Sequence, residues 1–235
     1  MNYSMVVFDV AGTTVEDTDN AVAVRLCEAL AVAGATVGIR DVDPVMGIPK
    51  PVAIRVLLAA NRGGHDPTDE EIGLVHAEFQ RRIVAHYRSS PNVREMAGAS
   101  DVFRSLRDAG IGVTLDTGFD RATLDTIIER LGWKDKFDDS VASDEVHRGR
   151  PDPEMIRVLM DRAGVTDPSK VAKIGDSESD LEQGVAAECG FVGAILNVRT
   201  SPVLKRFPTV RPLRSVQEVP EALGIDQTVR DGLKS

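Results

Sequence analysis

Only two cysteines, Cys27 and Cys189, occur in 235 residues, too few for a disulfide framework. Each falls in an apolar helical pattern, so two buried free thiols and a reducing compartment are expected. No stretch approaches 18 uninterrupted apolar residues, and no basic flank leads into a long apolar region at the start. A membrane partner and an export leader are therefore not expected, and a cytoplasmic protein is. Positive charge is short too: 28 Lys and Arg face 37 Asp and Glu, for a net charge of −9. The acidic residues are spread along the chain, which argues against an extended nucleic-acid surface but leaves room for a local anion pocket.

What is present begins with Met5-Val6-Val7-Phe8, an apolar strand candidate that delivers Asp9 into a Val10-Ala11-Gly12-Thr13-Thr14 turn. A carboxylate at the carboxyl end of a buried strand stands where open α/β sheets hold ligands. Nothing from residue 16 to 89 reads as a strand. Helical spacing predicts helices over Asn20–Ala33 (Val22, Leu26, Leu30, Ala33) and Pro51–Ala60, and one after the cap Thr68-Asp69-Glu70-Glu71. Residues 16–91 thus read as a small helical domain inserted into a core of residues 1–15 and 92–235, ending at Ser89-Ser90-Pro91-Asn92. Hinges are expected at 14–17 and 91–97. Beyond them, helices at 99–108, 121–131, 153–163 and 180–188 alternate with strands at 111–115, 140–142, 171–174 and 191–195. The fold class is α/β, with a mainly parallel sheet covered on both faces and the inserted helices over its carboxyl end.

A sheet of this kind gathers Asp9, Thr117-Gly118, Arg150-Pro151 and Gly175-Asp176-Ser177-Glu178-Ser179-Asp180 into one crevice. Their chemistry is coherent. A carboxylate can attack phosphorus, a hydroxyl and a cation can hold phosphoryl oxygens, and a second carboxylate can share a hard divalent metal with the nucleophile.

With these motifs in this order, the chain resembles the haloacid dehalogenase superfamily of phosphoryl-transfer hydrolases over nearly its whole length. Within it, Asp9-Val10-Ala11-Gly12-Thr13-Thr14, Met46-Gly47-Ile48-Pro49-Lys50 and Gly149-Arg150-Pro151 are similar to the phosphonoacetaldehyde hydrolase (phosphonatase) branch. The resemblance implies a Rossmann-like core with a mobile helical cap and a Mg²⁺ cofactor. It makes Asp9 the nucleophile that forms an aspartyl-phosphate, and Asp9, Asp176 and the Ala11 carbonyl the metal ligands. Arg150 would balance the phosphoryl and Asp9 charges, and Thr117 and Gly118 would donate to phosphoryl oxygens. Asp180 would orient Arg150 or a metal-bound water, with Thr13 also in the surrounding shell. Alternatives stay open: Thr117 could cap the following helix, Arg150 could be an exposed turn residue, and Glu178 could influence the metal site or be solvated. The resemblance also suggests a homodimer through the cap.

Ala11 is the informative absence. Ordinary ester phosphatases of the superfamily carry an Asp at that place to protonate the leaving alkoxide, a general-acid contribution of about 10²–10⁴-fold. In phosphonatases the lysine matching Lys50 forms a Schiff base with the aldehyde and accepts the electrons of the breaking carbon–phosphorus bond. Lys50 reads as the N-cap of the Pro51 helix, where the helix dipole disfavours a cation and encourages the neutral amine. It could instead bind substrate phosphate together with Met46 and Gly47, or lie in solvent. Two departures stand out: Ala53 replaces the histidine that phosphonatases commonly carry three positions after the lysine, and their Gln-Asp-Ala lead-in is missing. His65, His76, His86 and His147 read as scattered surface or helix-end residues. The expected function is Mg²⁺-dependent cleavage of phosphonoacetaldehyde or a related small phosphonate, with a small phosphate monoester, phosphoglycolate-like or sugar-phosphate-like, as the alternative substrate.

Overall fold

The computed structural model describes residues 3–225, so the ends of the expected core segment, residues 1–2 and 226–235, lie outside the described residues. The Met5–Phe8 apolar run forms β1 (Met5–Asp9), buried at every position as a strand covered on both faces must be. It lies at the centre of a sheet with β2 (Gly112–Thr117), β3 (Asp139–Ala142), β4 (Val171–Gly175), β5 (Phe191–Ile195) and β6 (Arg211–Leu213). The order is β3-β2-β1-β4-β5-β6 and every neighbouring pair is parallel. The chain builds outward from β1 first on one side and then on the other. That reversal leaves a crevice at the carboxyl end of β1, between β2 and β4.

Two strands depart from expectation. β2 ends at Thr117, two residues later than its apolar run suggests, which draws Asp116 and Thr117 into the ladder with Asp116 opposite Asp9. β6 was not anticipated; it is three residues long with Pro212 at its centre, tolerable because it is an edge strand.

Between β1 and β2 the described chain is helical: α1 (Ala21–Val32), α2 (Ile39–Val42), α3 (Lys50–Asn61), α4 (Asp69–Ser89) and α5 (Ala99–Asp108). α4 starts on a reciprocal capping box, in which the Glu71 amide donates to Thr68 Oγ1 at 3.2 Å and the Thr68 amide to Glu71 Oε2 at 2.9 Å. α1 and α3 pack on α4. The apolar stripe of α1, including Val22, Leu26 and Leu30, is spent on this internal core, leaving Val32 exposed. The remaining longer helices are α6 (Arg121–Leu131), α7 (Glu154–Ala163) and α8 (Glu178–Ala186), followed by the four-residue α9 (Thr200–Val203) and α10 (Val219–Ala222), and α4 also packs on α6.

The two expected hinges run side by side: Val15 bridges Glu95, the Glu16 amide donates to the Arg94 carbonyl at 3.0 Å, and Met96 N donates to Thr14 O at 2.8 Å. Cys27 and Cys189 are free but half-buried rather than buried, and Cys189 lies past the end of α8 instead of within a helix. His65 and His147 are exposed, whereas His76 is half-buried in the middle of α4, contrary to the surface or helix-end expectation. No helix among the described residues is long and apolar enough to cross a membrane.

Candidate active site

Asp9 ends β1 with its side chain almost fully enclosed. The turn after it is tied by the Thr14 and Val15 amides, which both donate to the Val10 carbonyl, and by Thr14 Oγ1 donating to the Asp9 carbonyl at 2.9 Å. Gly12 sits at φ +93°, and a Cβ there would meet Asp176 Oδ2 at 2.4 Å, so glycine is needed both for the backbone and for the approach of Asp176. Thr13 Oγ1 donates to Asp176 Oδ1 at 3.4 Å.

Arg150 is completely buried and joins the ends of β1 and β2 to the first turn of α8. Its Nη2 donates to Asp9 Oδ1 at 2.6 Å and to the Asp116 carbonyl at 3.3 Å, while Nη1 donates to Asp180. The exposed-turn alternative for Arg150 is thereby excluded. Lys173, in the middle of β4, donates to Asp116 and lies 3.0 Å from Asp180 Oδ1. Asp180 also reaches back to Ser177 N at 3.2 Å, bracing the start of α8. Burial would raise the Asp180 carboxyl, but Arg150 and Lys173 more than reverse that and hold it below the usual range. Asp9 has the opposite balance: burial, helped by Asp180 and Asp176, outweighs Arg150 and pushes it up to about 7. Burial likewise raises Asp176, with Arg199 opposing.

Asp9, Asp116 and Asp180 offer oxygens within 4.8 Å of one another. Arg150 and Lys173 already bridge these three carboxylates, so the cluster is an ion-pair network rather than a vacant cation cage. Asp9 and Asp176 are each held by one guanidinium, Arg150 and Arg199, and both line the same cavity. Asp9, Ala11 and Asp176 line one cavity, Thr13 Oγ1 donates to Asp176, and the missing Cβ of Gly12 lets Asp176 close on that turn, so the donors these residues offer are oxygens, the kind that suits a hard cation. The residues present fit a Mg²⁺ ion.

Thr117 is buried beside them, its Oγ1 accepting from Phe119 N at 3.2 Å. It does not cap α6, because Asp120 does so by accepting from Thr123 N at 2.9 Å. Gly118 meets the helical insertion directly: a Cβ on it would lie 2.5 Å from the Gly47 carbonyl oxygen. The Met46 carbonyl accepts from Ser179 Oγ at 3.3 Å, so the Met46-Gly47 loop seats on both the Thr117-Gly118 and the Ser177–Ser179 loops.

This seating brings Lys50 to the same space that Asp9 lines. Lys50 is the first residue of α3 and Pro49 is the N-cap, one position earlier than expected. It is 3% exposed, with Nζ 3.4 Å from the Ile48 carbonyl and 5.3 and 5.9 Å from the Phe119 and Phe79 ring centres. Burial first, then Arg150, depress its ammonium to about 8, against the pull of Asp9, Asp17 and Asp120. The enclosed space lined by Asp9, Ala11, Lys50, Thr117, Phe119 and Arg199 is about 20 Å³, room for about one water.

Glu178 is not brought in; it is half-exposed and paired with Arg206. His76 lies within electrostatic reach of Lys50 and Asp120, and burial lowers its imidazole. Sequence reasoning missed Lys173, Asp116, Asn197 and Arg199. A lysine inside the apolar run Val171–Ile174 was a legible signal, since a strand buried on both faces holds a cation only if it is paired. Asp116 was hidden by ending the strand early. Asn197 and Arg199, in the loop after β5, had no motif to announce them.

A family model described as haloacid dehalogenase-like hydrolase matches residues 3–188. The phosphonoacetaldehyde hydrolase of Bacillus cereus is 30% identical over 210 residues, covering 83% of this chain and 77% of that protein. The phosphonoacetaldehyde hydrolase of Bacteroides fragilis is 27% identical over 200 residues, covering 81% and 75%. Among solved structures, a phosphonoacetaldehyde hydrolase-like protein from Oleispira antarctica superposes with a TM-score of 0.79 at 18% identity, over 95% of this chain and 92% of that one. A phosphoglycolate phosphatase homologue from Lactobacillus delbrueckii gives 0.78 at 22%, over 95% and 99%. At such identities the structural likeness speaks for the fold alone.

Proposed function

The chain belongs to the haloacid dehalogenase-like hydrolases, on their phosphonatase-like branch, and from that premise we propose that it hydrolyses the carbon–phosphorus bond of phosphonoacetaldehyde or a close small phosphonate. The observation that carries the reading is Lys50: a buried amine depressed to about 8, with no ion pair among the described residues, facing the Asp9 crevice in a chain that has only a methyl group at Ala11.

The Lys50 amine condenses with the aldehyde carbonyl, releasing water and leaving a protonated imine. Asp9 Oδ attacks phosphorus in line with the carbon leaving group. The phosphorus–carbon bond breaks and its electron pair moves into the iminium, giving an enamine on Lys50, so no acid at position 11 is required. Protonation at carbon and hydrolysis return the free lysine and acetaldehyde, and a second water hydrolyses the acyl phosphate on Asp9 to phosphate and the free carboxylate. Arg150 and Thr117 hold phosphoryl oxygens while Asp180 and Lys173 fix Arg150 in place. Asp9, Asp176 and the Ala11 carbonyl would hold Mg²⁺, which supplies charge neutralisation between the nucleophile and the anionic substrate. Residues 16–91 act as the cap whose closure excludes water. The same reading places the protein in the cytoplasm as a homodimer through the cap, with exposed Val52 and Val56 of α3 as the apolar surface for it.

Ala53, fully buried where phosphonatases commonly have histidine, favours the second reading, hydrolysis of a small phosphate monoester. Phosphate release from phosphonoacetaldehyde, phosphoglycolate and sugar phosphates with Mg²⁺ separates the two. Asp9→Asn should lower the rate roughly a thousandfold or more with an unchanged circular-dichroism melt. Comparable rates for the variant and the parent would remove Asp9 as nucleophile, and faster release from the esters would select the second reading.

A further inference from the structure

The loop after β5 places a cation against Asp176 that the reaction above does not use. Asn197 builds that loop: its Oδ1 accepts from the amides of Arg199 at 2.7 Å and Thr200 at 2.9 Å. Its Nδ2 donates to the Asp176 carbonyl at 2.9 Å and to Asp176 Oδ2 at 2.8 Å. Thr200 Oγ1 locks the turn by donating to the Ile195 carbonyl at 2.8 Å. Arg199 is thus delivered rather than free to wander, with Nη2 2.7 Å from Asp176 Oδ2 and its side chain 13% exposed. It lines the same small cavity as Asp9 and Lys50. Its Nε is buried and has no acceptor among the described residues.

We propose that Arg199 couples the two ligands of the site, opposing a divalent metal at Asp176 until a dianionic phosphoryl group is present, so that metal and substrate bind as a pair. This rests on the assignment of Asp9 and Asp176 as the metal carboxylates. Each already carries a guanidinium, Arg150 on Asp9 and Arg199 on Asp176. A divalent ion entering alone adds two positive charges beside both, at a depth where repulsion is poorly screened. A dianion removes that excess and offers the orphaned Nε an oxygen for a charge-assisted hydrogen bond. Arg150 cannot adjust to the metal, being held on its other side by Asp180, whereas the ion pair of Arg199 among the described residues is with Asp176 alone. Arg199 is therefore the group that senses whether Asp176 is shared. By linkage, the metal tightens dianion binding by the same factor.

Mn²⁺ binding to the full chain, read from the electron paramagnetic resonance of the free ion with and without inorganic phosphate, tests this. For the parent, phosphate should tighten Mn²⁺ about tenfold, within the ordinary span of coupling between sites. Arg199→Gln, with its fold checked by melting, should bind Mn²⁺ more tightly than the parent without phosphate and gain less than about twofold from it. Arg199→Lys keeps the charge but not Nε, so it should bind Mn²⁺ without phosphate as the parent does and gain more from phosphate than Arg199→Gln but less than the parent. An equal phosphate effect in the parent and Arg199→Gln, or weaker phosphate-free binding by Arg199→Gln, would overturn the proposal, the latter leaving Arg199 as a prop for Asp176. Mn²⁺ affinity unaffected by Asp176→Asn would instead overturn the metal assignment beneath it.

Discussion

Two lysines are buried within this protein's crevice, and their surroundings push them in opposite directions. Lys173, in the floor, faces Asp116 and Asp180, which overcome the penalty of burial and raise its ammonium above the usual range. Lys50, in the roof, rests near two aromatic rings and one carbonyl without an ion pair among the described residues, and falls to about 8. Burial is common to both, so carboxylate contact decides the outcome. A paired lysine is fixed, cationic and structural. An unpaired one keeps a fraction of neutral amine near neutral pH and is available as a nucleophile. On the proposed reading, the paired floor lysine serves the phosphoryl half of the substrate and the unpaired roof lysine the organic half.

The largest effect expected from breaking this contrast is on the floor. Lys173→Met leaves Asp116, whose Oδ2 already has no partner, with only Arg150, 3.9 Å from its Oδ1, as a cation. Removing one member of a buried pair costs about 3–5 kcal/mol, to be read from guanidinium denaturation at neutral pH. A loss below about 1 kcal/mol would mean that the network does not hold the floor together.

Lys50 sharpens the contrast with the opposite sign. Its folded value of about 8 lies below the ordinary lysine value of 10.5, so the unfolded chain binds more protons between those limits. Folding stability should therefore rise as the pH passes upward through that window, by up to about 3 kcal/mol from this group. Below about 8 the burial penalty is present in full. Lys50→Met removes the penalty and, compared with the parent, should flatten the rise. Parallel stability curves for the two proteins from pH 7 to 10 would contradict the environment assigned to Lys50.

The smallest effect concerns how the roof is held. Phe79, against Lys50, is carried by α4, which begins on the Thr68–Glu71 capping box. Thr68→Ala should cost about 1 kcal/mol of stability while leaving the reactivity of Lys50 unchanged, measured by thermal melting and by amine labelling. A matching loss of Lys50 reactivity would show that the roof depends on the helix start rather than on local packing.

Much of this contrast was legible in the sequence and some was not, for physical reasons. Asp9, Thr117, Arg150, Asp176 and Asp180 all follow strands whose apolar runs are plain, so the parallel-sheet rule alone gathers them. The Thr68 cap and the apolar stripe of α4 likewise announce themselves. Lys173 is a cation within an apolar run, and its pairing depends on strands distant in sequence, which periodicity does not report. Arg199 depends on an asparagine-built turn with no regular spacing. Glu178 could be read either towards the metal site or into solvent, and the direction of the first turn of α8 sends it outward to Arg206. Lys50 was found from its motif, but its depressed ammonium comes chiefly from burial, with Arg150 adding to it, more than from the helix end it begins.

Borohydride trapping tests the central claim, that the roof lysine forms a covalent bond with the substrate while the floor holds the phosphoryl group. The protein is incubated with phosphonoacetaldehyde and Mg²⁺, reduced, and mapped by peptide mass. The account predicts a stable adduct on Lys50 and not on Lys173, formed faster as the pH rises towards about 8. It also predicts that Lys50→Arg loses both the adduct and phosphate release from that substrate. An unlabelled Lys50, with phosphonoacetaldehyde still turned over by Lys50→Arg, would contradict it.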